Sequence, residues 1–170
     1  FTNILQMLDL GNIPVLAKER NGLDNLVIAG GPCACNPEPL CDFVDVFFIG
    51  EAEESLPEFI ELYKSAKEQK LSKKEFLLKA AKIEGIYIPS FYEVSYNLDG
   101  TVAGRKALVD GVPDIISKRI FLNLDNAPYP ETFTVPFLQT THDRAILEVM
   151  RGCIRGCRFC QAGMIYRPVR

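Results

Sequence analysis

The sequence predicts an α/β fold in which a small parallel sheet with helices is followed by an antiparallel hairpin module. Two short apolar runs, residues 26–29 and 44–49, each end at a glycine and have the length of buried strands. Acidic residues follow the second run at positions 51, 53 and 54, where carboxylates favour the positive end of a helix dipole. The pair Asp99-Gly100 stands between two further strand-like runs and is a strong hairpin signal.

Three helices are predicted in the first half of the chain. Thr2 or Asn3 caps a short first helix, and the second helix follows the acidic residues at 51–54. Ser72 and Glu75 form a capping-box pattern, which predicts a third helix that runs to about Lys82. The alternation of strand, glycine turn and helix indicates a parallel sheet.

The character of the chain changes at residue 86. Four runs are predicted as strands of an antiparallel module: residues 86–88, 91–96, 101–109 and 115–122. The three prolines of residues 125–136 then predict an extended linker. A last strand, residues 146–150, leads into a cysteine-rich segment.

Composition describes a globular chain with a core of its own. Of the 170 residues, 48% are hydrophobic and the mean hydropathy is +0.06, which excludes a disordered or fibrous chain. No apolar run is long enough to span a bilayer, so we expect no membrane association. The core does not need disulfides, and closely spaced cysteines then favour a cytoplasmic protein. Because the chain begins with Phe1 and ends at Arg170 without a cap, we expect it to be a piece of a larger protein.

Positive charge is concentrated at the end of the chain. Residues 151–170 hold no acidic residue and five arginines, Arg151, Arg155, Arg158, Arg167 and Arg170. The first 150 residues hold the remaining 14 basic residues (19 minus 5) against all 22 acidic ones. Such segregation favours an anionic partner, either a thiolate-bound cluster or a phosphorylated or nucleic-acid substrate. The alternative is a solvated basic tail.

Three cysteines, Cys153, Cys157 and Cys160, lie within eight residues and form a C-x3-C-x-Φ-C pattern with Phe159 as Φ. Three thiolates can hold an iron–sulfur cluster and leave one iron open to another ligand. Glycines at 152 and 156 are expected to let the backbone wrap tightly. Zinc is the alternative, but a structural zinc site takes four ligands, and His142, the single histidine, is poorly spaced for that role.

The pattern resembles that of the radical S-adenosylmethionine (radical SAM) superfamily, in which it follows the first strand of a partial (β/α) barrel. The resemblance implies that Cys153, Cys157 and Cys160 bind a [4Fe–4S] cluster whose fourth iron takes SAM. It further implies reductive cleavage of SAM to a 5′-deoxyadenosyl radical, with an electron donor such as flavodoxin or ferredoxin. Phe159 would lie near the adenine of SAM. The cofactors carry this chemistry and the protein orients them.

Upstream segments extend the resemblance. Residues 26–32, 37–40, 44–49 and 50–53 are similar to the second half of a partial Rossmann-like, cobalamin-binding-like domain. Residues 125–130 and 166–170 are similar to an uncharacterised radical SAM group. The implied division is a cobalamin-binding-like domain at 1–83, a hairpin linker at 84–144 and the start of the barrel at 145–170. The cobalamin-ligating Asp-x-His-x-x-Gly motif is absent, so cobalamin is not expected to bind this chain, although the whole protein could bind it.

Two function classes follow. The first is a radical SAM enzyme acting on an unidentified substrate, with an anionic substrate or RNA favoured by the arginines; this chain alone is expected to be inactive. The second is a non-catalytic module that binds a corrinoid, RNA or a protein, with a vestigial cysteine loop. A second cysteine group, Cys33, Cys35 and Cys41, is interpreted as small apolar residues rather than as ligands of a second cluster.

Overall fold

A computed structural model describes residues 2–130, 132, 137–138, 141 and 147–170. The chain divides into two compact units, Phe1–Ile120 and Phe121–Arg170. The predicted three-part division at 83/84 and 144/145 stays a prediction. No helix among the described residues has the length and apolar content needed to cross a membrane.

The first unit is built on a mixed three-stranded sheet with the order β1-β2-β3. Strands β1 (Ile28–Ala29) and β2 (Val46–Phe48) are parallel, as predicted. Strand β3 (Ile86–Tyr87) pairs with β2 in the antiparallel direction, so the sheet is mixed and not purely parallel. The sequence predicts this strand in the antiparallel hairpin module, whereas the structure adds it to the first sheet and leaves β4 and β5 as a separate pair. Two consecutive helices connect β2 to β3. They bring the chain back to the carboxyl end of β2, where β3 begins. There the Ile49 N–H donates to the Gly85 carbonyl at 2.7 Å.

Three helices lie in the first unit, as predicted: α1 (Thr2–Leu10), α2 (Ala52–Glu68) and α3 (Lys73–Ala80). Ser72 caps α3, and its side chain and backbone N–H exchange hydrogen bonds with Glu75 in a complete capping box. The helix ends at Ala80, two residues before the predicted end.

An aromatic row joins the helices to the sheet. The ring of Phe59, in α2, packs edge-to-face against Phe48 of β2 at 5.3 Å and against Phe76 of α3 at 5.2 Å. All three rings are buried, with Phe76 completely enclosed. Burial of each such ring contributes roughly 1.5–3 kcal/mol to stability, so this row holds both helices on the sheet.

The hairpin consists of β4 (Tyr92–Tyr96) and β5 (Val102–Ala107), joined at the predicted turn, where Gly100 has a φ of 81°. The strand predicted at residues 115–122 is wrong. That segment meets the sheet at a single bridge, where the Arg119 N–H donates to Ile49 at 2.9 Å and its carbonyl accepts from Glu51 at 3.0 Å. The segment pairs with the chain just beyond β2 at this one bridge, so no ladder forms.

The second unit contains the short helix α4 (Ala162–Ile165). The strand predicted at residues 146–150 is not found in its described part, 147–150, whose four side chains are exposed. A barrel strand obtains its hydrogen bonds from neighbouring strands, and none lies beside these residues in the part of the chain that the structure describes. The linker predicted at 125–136 is described up to residue 130 and at residue 132.

Candidate metal centre

The three predicted ligands lie in one exposed segment of the second unit, residues 152–160, which we name the cysteine loop. Cys157 is exposed, whereas Cys153 and Cys160 are half-buried, and all three thiols are free of disulfides. The Cys160 N–H donates to the Cys157 carbonyl at 3.1 Å, and this turn leads directly into α4. Each of the three residues therefore keeps part of its surface exposed.

One sulfur already accepts a backbone hydrogen bond. The Arg155 N–H lies 3.4 Å from the Cys153 Sγ. Hydrogen bonds to sulfur are one of the levers that set the properties of iron–sulfur sites.

The described residues contain no group of three histidine, cysteine or acidic side chains close enough together to hold a metal ion. The structure thus brings the three cysteines into one loop without gathering their sulfurs at one point. The donor set itself fits an iron–sulfur cluster, because three free thiols are the soft ligands that such clusters take. The ligand role of Cys153, Cys157 and Cys160 stays a prediction.

The base of the cysteine loop is held by a return segment, residues 167–170. Arg151 and Arg170 exchange backbone hydrogen bonds of 2.8 and 3.0 Å. Gly152, which directly follows Arg151, has a φ of 90°, and a Cβ at this position would lie 2.6 Å from the Pro168 carbonyl oxygen. Glycine is required here, as predicted. Gly156 has no positive φ and no atom near its missing Cβ, so the same prediction is wrong there.

The side chain of Arg167 hydrogen-bonds to the cysteine loop, a role that sequence reasoning missed. Its Nε donates to the Cys153 carbonyl at 3.3 Å and its Nη2 to the Arg155 carbonyl at 2.7 Å. Arg170 likewise donates from Nε to the Phe121 carbonyl at 2.7 Å. The signal in the sequence is the cluster of arginines without acidic residues, which we interpreted as facing an anionic partner or as a solvated tail, and not as donors to the loop backbone.

A family model described as "Radical SAM proteins, N-terminal" matches residues 1–89, which is more than half of the chain. The chain belongs to this family. The match covers the sheet and helices α1–α3 of the first unit, so the radical SAM assignment made from the cysteine pattern is confirmed by a different part of the chain. The cysteine loop itself lies outside the matched residues.

This radical SAM chain is also similar to a protein of Methanocaldococcus jannaschii named "Uncharacterized protein MJ0966", with 29% identity over 161 residues. The similarity covers 89% of this chain and 26% of that protein. The chain therefore spans about a quarter of the length of the relative it matches. No solved structure matched the chain.

Within the radical SAM N-terminal domain, the second cysteine group forms no metal site in the described structure. Cys33 is exposed and Cys35 half-buried. Cys41 packs against the apolar core, 3.9 Å from the Tyr87 hydroxyl, and burial raises the pKa of its thiol to about 12. A thiol in that environment stays protonated and is a poor metal ligand.

The remaining predicted residues are exposed, paired with an acidic side chain, or outside the described residues. Phe159, predicted to lie near the adenine of SAM, has 92% of its surface exposed. Arg155 and Arg158 are exposed, whereas Arg151 pairs with Glu148 at 2.7 Å and lowers the pKa of that carboxyl. His142 lies outside the described residues.

Proposed function

We propose that this chain is part of a radical SAM iron–sulfur enzyme in which Cys153, Cys157 and Cys160 hold a [4Fe–4S] cluster. The observation that carries the proposal is the combination of a radical SAM N-terminal domain with three free, at least partly exposed cysteines in one loop of the second unit. A cluster held there would supply the electron for reductive cleavage of SAM.

The residues around the thiols suit that role. Phe159 presents an exposed aromatic face between the second and third cysteines, where the adenine of SAM could stack. The exposed side chains of Arg155 and Arg158 offset the negative charge that thiolates and an anionic substrate bring.

The whole enzyme requires more than this chain. We propose that residues 1–83, 84–144 and 145–170 are a cobalamin-binding-like domain, a hairpin linker and the start of a (β/α) barrel. We further propose that SAM and an electron donor such as flavodoxin or ferredoxin are its partners, with an anionic substrate, RNA included. Cobalamin is not proposed as a ligand of this chain. Since the chain spans 26% of the length of its relative, the substrate-binding residues are expected elsewhere.

A binding module without catalysis is the second candidate. It is favoured by one observation: within the described residues the three sulfurs do not meet at a common point. In that case the first unit would bind a corrinoid, RNA or a protein, and the cysteine loop would have no ligand.

Anaerobic reconstitution of the intact protein with iron and sulfide separates the two candidates. The enzyme should bind about four irons and give an electron paramagnetic resonance (EPR) signal of the reduced cluster that SAM perturbs. Cys157→Ala should abolish the signal, whereas Cys33→Ala, which removes an exposed cysteine of the first unit, should retain it. Wild-type protein that binds no more iron than the triple alanine variant of the loop would establish the binding module instead.

A further inference from the structure

The guanidinium of Arg167 lies against the backbone of the cysteine loop. Two of its nitrogens donate to the carbonyls of Cys153 and Arg155, at 3.3 and 2.7 Å. The third, Nη1, lies 3.5 Å from the Met164 sulfur in α4. Arginine suits this arrangement because its donors form a rigid planar fork that can bond to two acceptors at once. One side chain therefore joins the beginning of the loop to the helix that follows its last cysteine.

These hydrogen bonds determine the orientation of two peptide groups, the one after Cys153 and the one after Arg155. In a trans peptide the carbonyl and the N–H point in opposite directions. Because the carbonyls of Cys153 and Arg155 are turned toward Arg167, the N–H groups of Ile154 and Gly156 are turned away from it. Neither N–H donates to another described residue.

We infer that Arg167 is the positioning residue of the cysteine loop: it orients the peptides beside Cys153 so that their N–H groups serve the metal site. The inference rests on the proposed function, since it concerns how the loop presents its thiols. The Arg155 N–H already donates to the Cys153 Sγ at 3.4 Å, between the two oriented peptides. Arg167 itself is anchored, because Gly152 and the Arg151–Arg170 backbone pair hold the return segment against the loop base.

The positive charge of Arg167 and the hydrogen bonds that it makes should both raise the reduction potential of a cluster held by the loop. Hydrogen bonds to the sulfurs and net charge both set the reduction potential of an iron–sulfur cluster. Replacing Arg167 by glutamine removes one positive charge and releases two peptides. The midpoint potential should become more negative, and less iron should be retained after gel filtration.

Two measurements on the intact protein test this role, with matched variants. Hydrogen exchange of peptides covering residues 151–170 is measured before reconstitution, and the midpoint potential is measured by EPR-monitored titration afterwards. Arg167→Gln should increase exchange several-fold at the hydrogen-bonded N–H groups of Arg151, Arg155, Cys160 and Arg170, and it should lower the potential. Arg167→Lys retains the charge but not the fork, so it should increase exchange while it shifts the potential less.

Arg158→Gln is the control, because Arg158 is an exposed loop arginine without a hydrogen bond to another described residue. Like Arg167→Gln, it removes one positive charge, but it should leave hydrogen exchange of the cysteine loop as it is in the wild type. Unchanged exchange and potential in Arg167→Gln, or equal exchange effects in Arg158→Gln, would overturn the inference while the proposed function stands. Wild-type protein that takes up no iron would overturn both.

Discussion

Asp45 accepts a hydrogen bond from the Arg20 guanidinium at 3.0 Å, and both side chains are almost completely enclosed, with 2% and 0% of their surface exposed. The same carboxylate oxygen accepts from the Val27 N–H at 2.9 Å, just before β1. The other oxygen lies 2.6 Å from the Lys73 ammonium, at the start of α3. One carboxylate therefore joins three segments that are distant in sequence.

Replacing Asp45 by asparagine should destabilise the protein strongly, because the buried Arg20 and the partly buried Lys73 lose their counter-charge. Removing one partner of a buried ion pair costs about 3–5 kcal/mol of unfolding free energy. Asp42→Asn, at an exposed position three residues away, is the matched control and should change stability by less than about 0.5 kcal/mol. Urea unfolding of both variants measures the difference, and equal midpoints would show that the buried carboxylate does not stabilise the fold.

Gly50→Ala should also be destabilising, since Gly50 has a φ of 112° and its missing Cβ would overlap the backbone of Arg119. The expected cost is about 2–3 kcal/mol, from the strained backbone and the displaced segment. Gly30→Ala is the control, because its Cβ would lie 3.6 Å from Phe48, an ordinary contact, and its φ is not positive. Thermal unfolding that ranks Gly30→Ala as the less stable variant would contradict the role of Gly50.

Glu75 should make the stability of the first unit depend on pH. The Ser72 hydroxyl and backbone N–H hold the pKa of the Glu75 carboxyl below its usual value. Because the folded-state pKa is lowered, this stabilisation is fully present above the unfolded-state pKa, about 4.3. It is lost as the pH falls through the folded-state value. The wild type should thus be more stable than Glu75→Gln at pH 7. The difference between their unfolding free energies should disappear as the pH is lowered.

The Glu75 experiment has a control in Glu68→Gln, at the exposed end of α2. This variant should follow the wild type at both pH values. A gap between wild type and Glu75→Gln that is as large at pH 3 as at pH 7 would contradict the capping-box origin of the effect. Ser72→Ala removes the cap itself and should cost about 1 kcal/mol at pH 7.

Cys41 should resist alkylation in the native protein. Burial raises the pKa of this thiol to about 12, so almost no thiolate is present at pH 8. Exposed Cys33 should react first with iodoacetamide, and Cys41 should react at a comparable rate only in denaturant. Peptide mass spectrometry over time distinguishes the two sites. Equal native rates would show that Cys41 is more accessible than the structure indicates.

Local signals were sufficient for the features that depend on neighbouring residues. The Ser72–Glu75 capping box and the turn at Gly100 each involve residues within about four positions, so the sequence by itself determined them. The C-x3-C-x-Φ-C pattern likewise indicated the radical SAM family, which the match over residues 1–89 confirmed independently.

Only the tertiary structure decided the rest. The direction of β3, the enclosure of Asp45 with Arg20 and the reach of Arg167 to Cys153 each join residues between 14 and 40 positions apart. Such contacts depend on how helices and loops return the chain, and hydrophobic periodicity carries no information about that path. The sequence therefore determined what the elements and the candidate ligands are. Packing decided which buried charges are paired and which arginine holds the loop that carries the thiols.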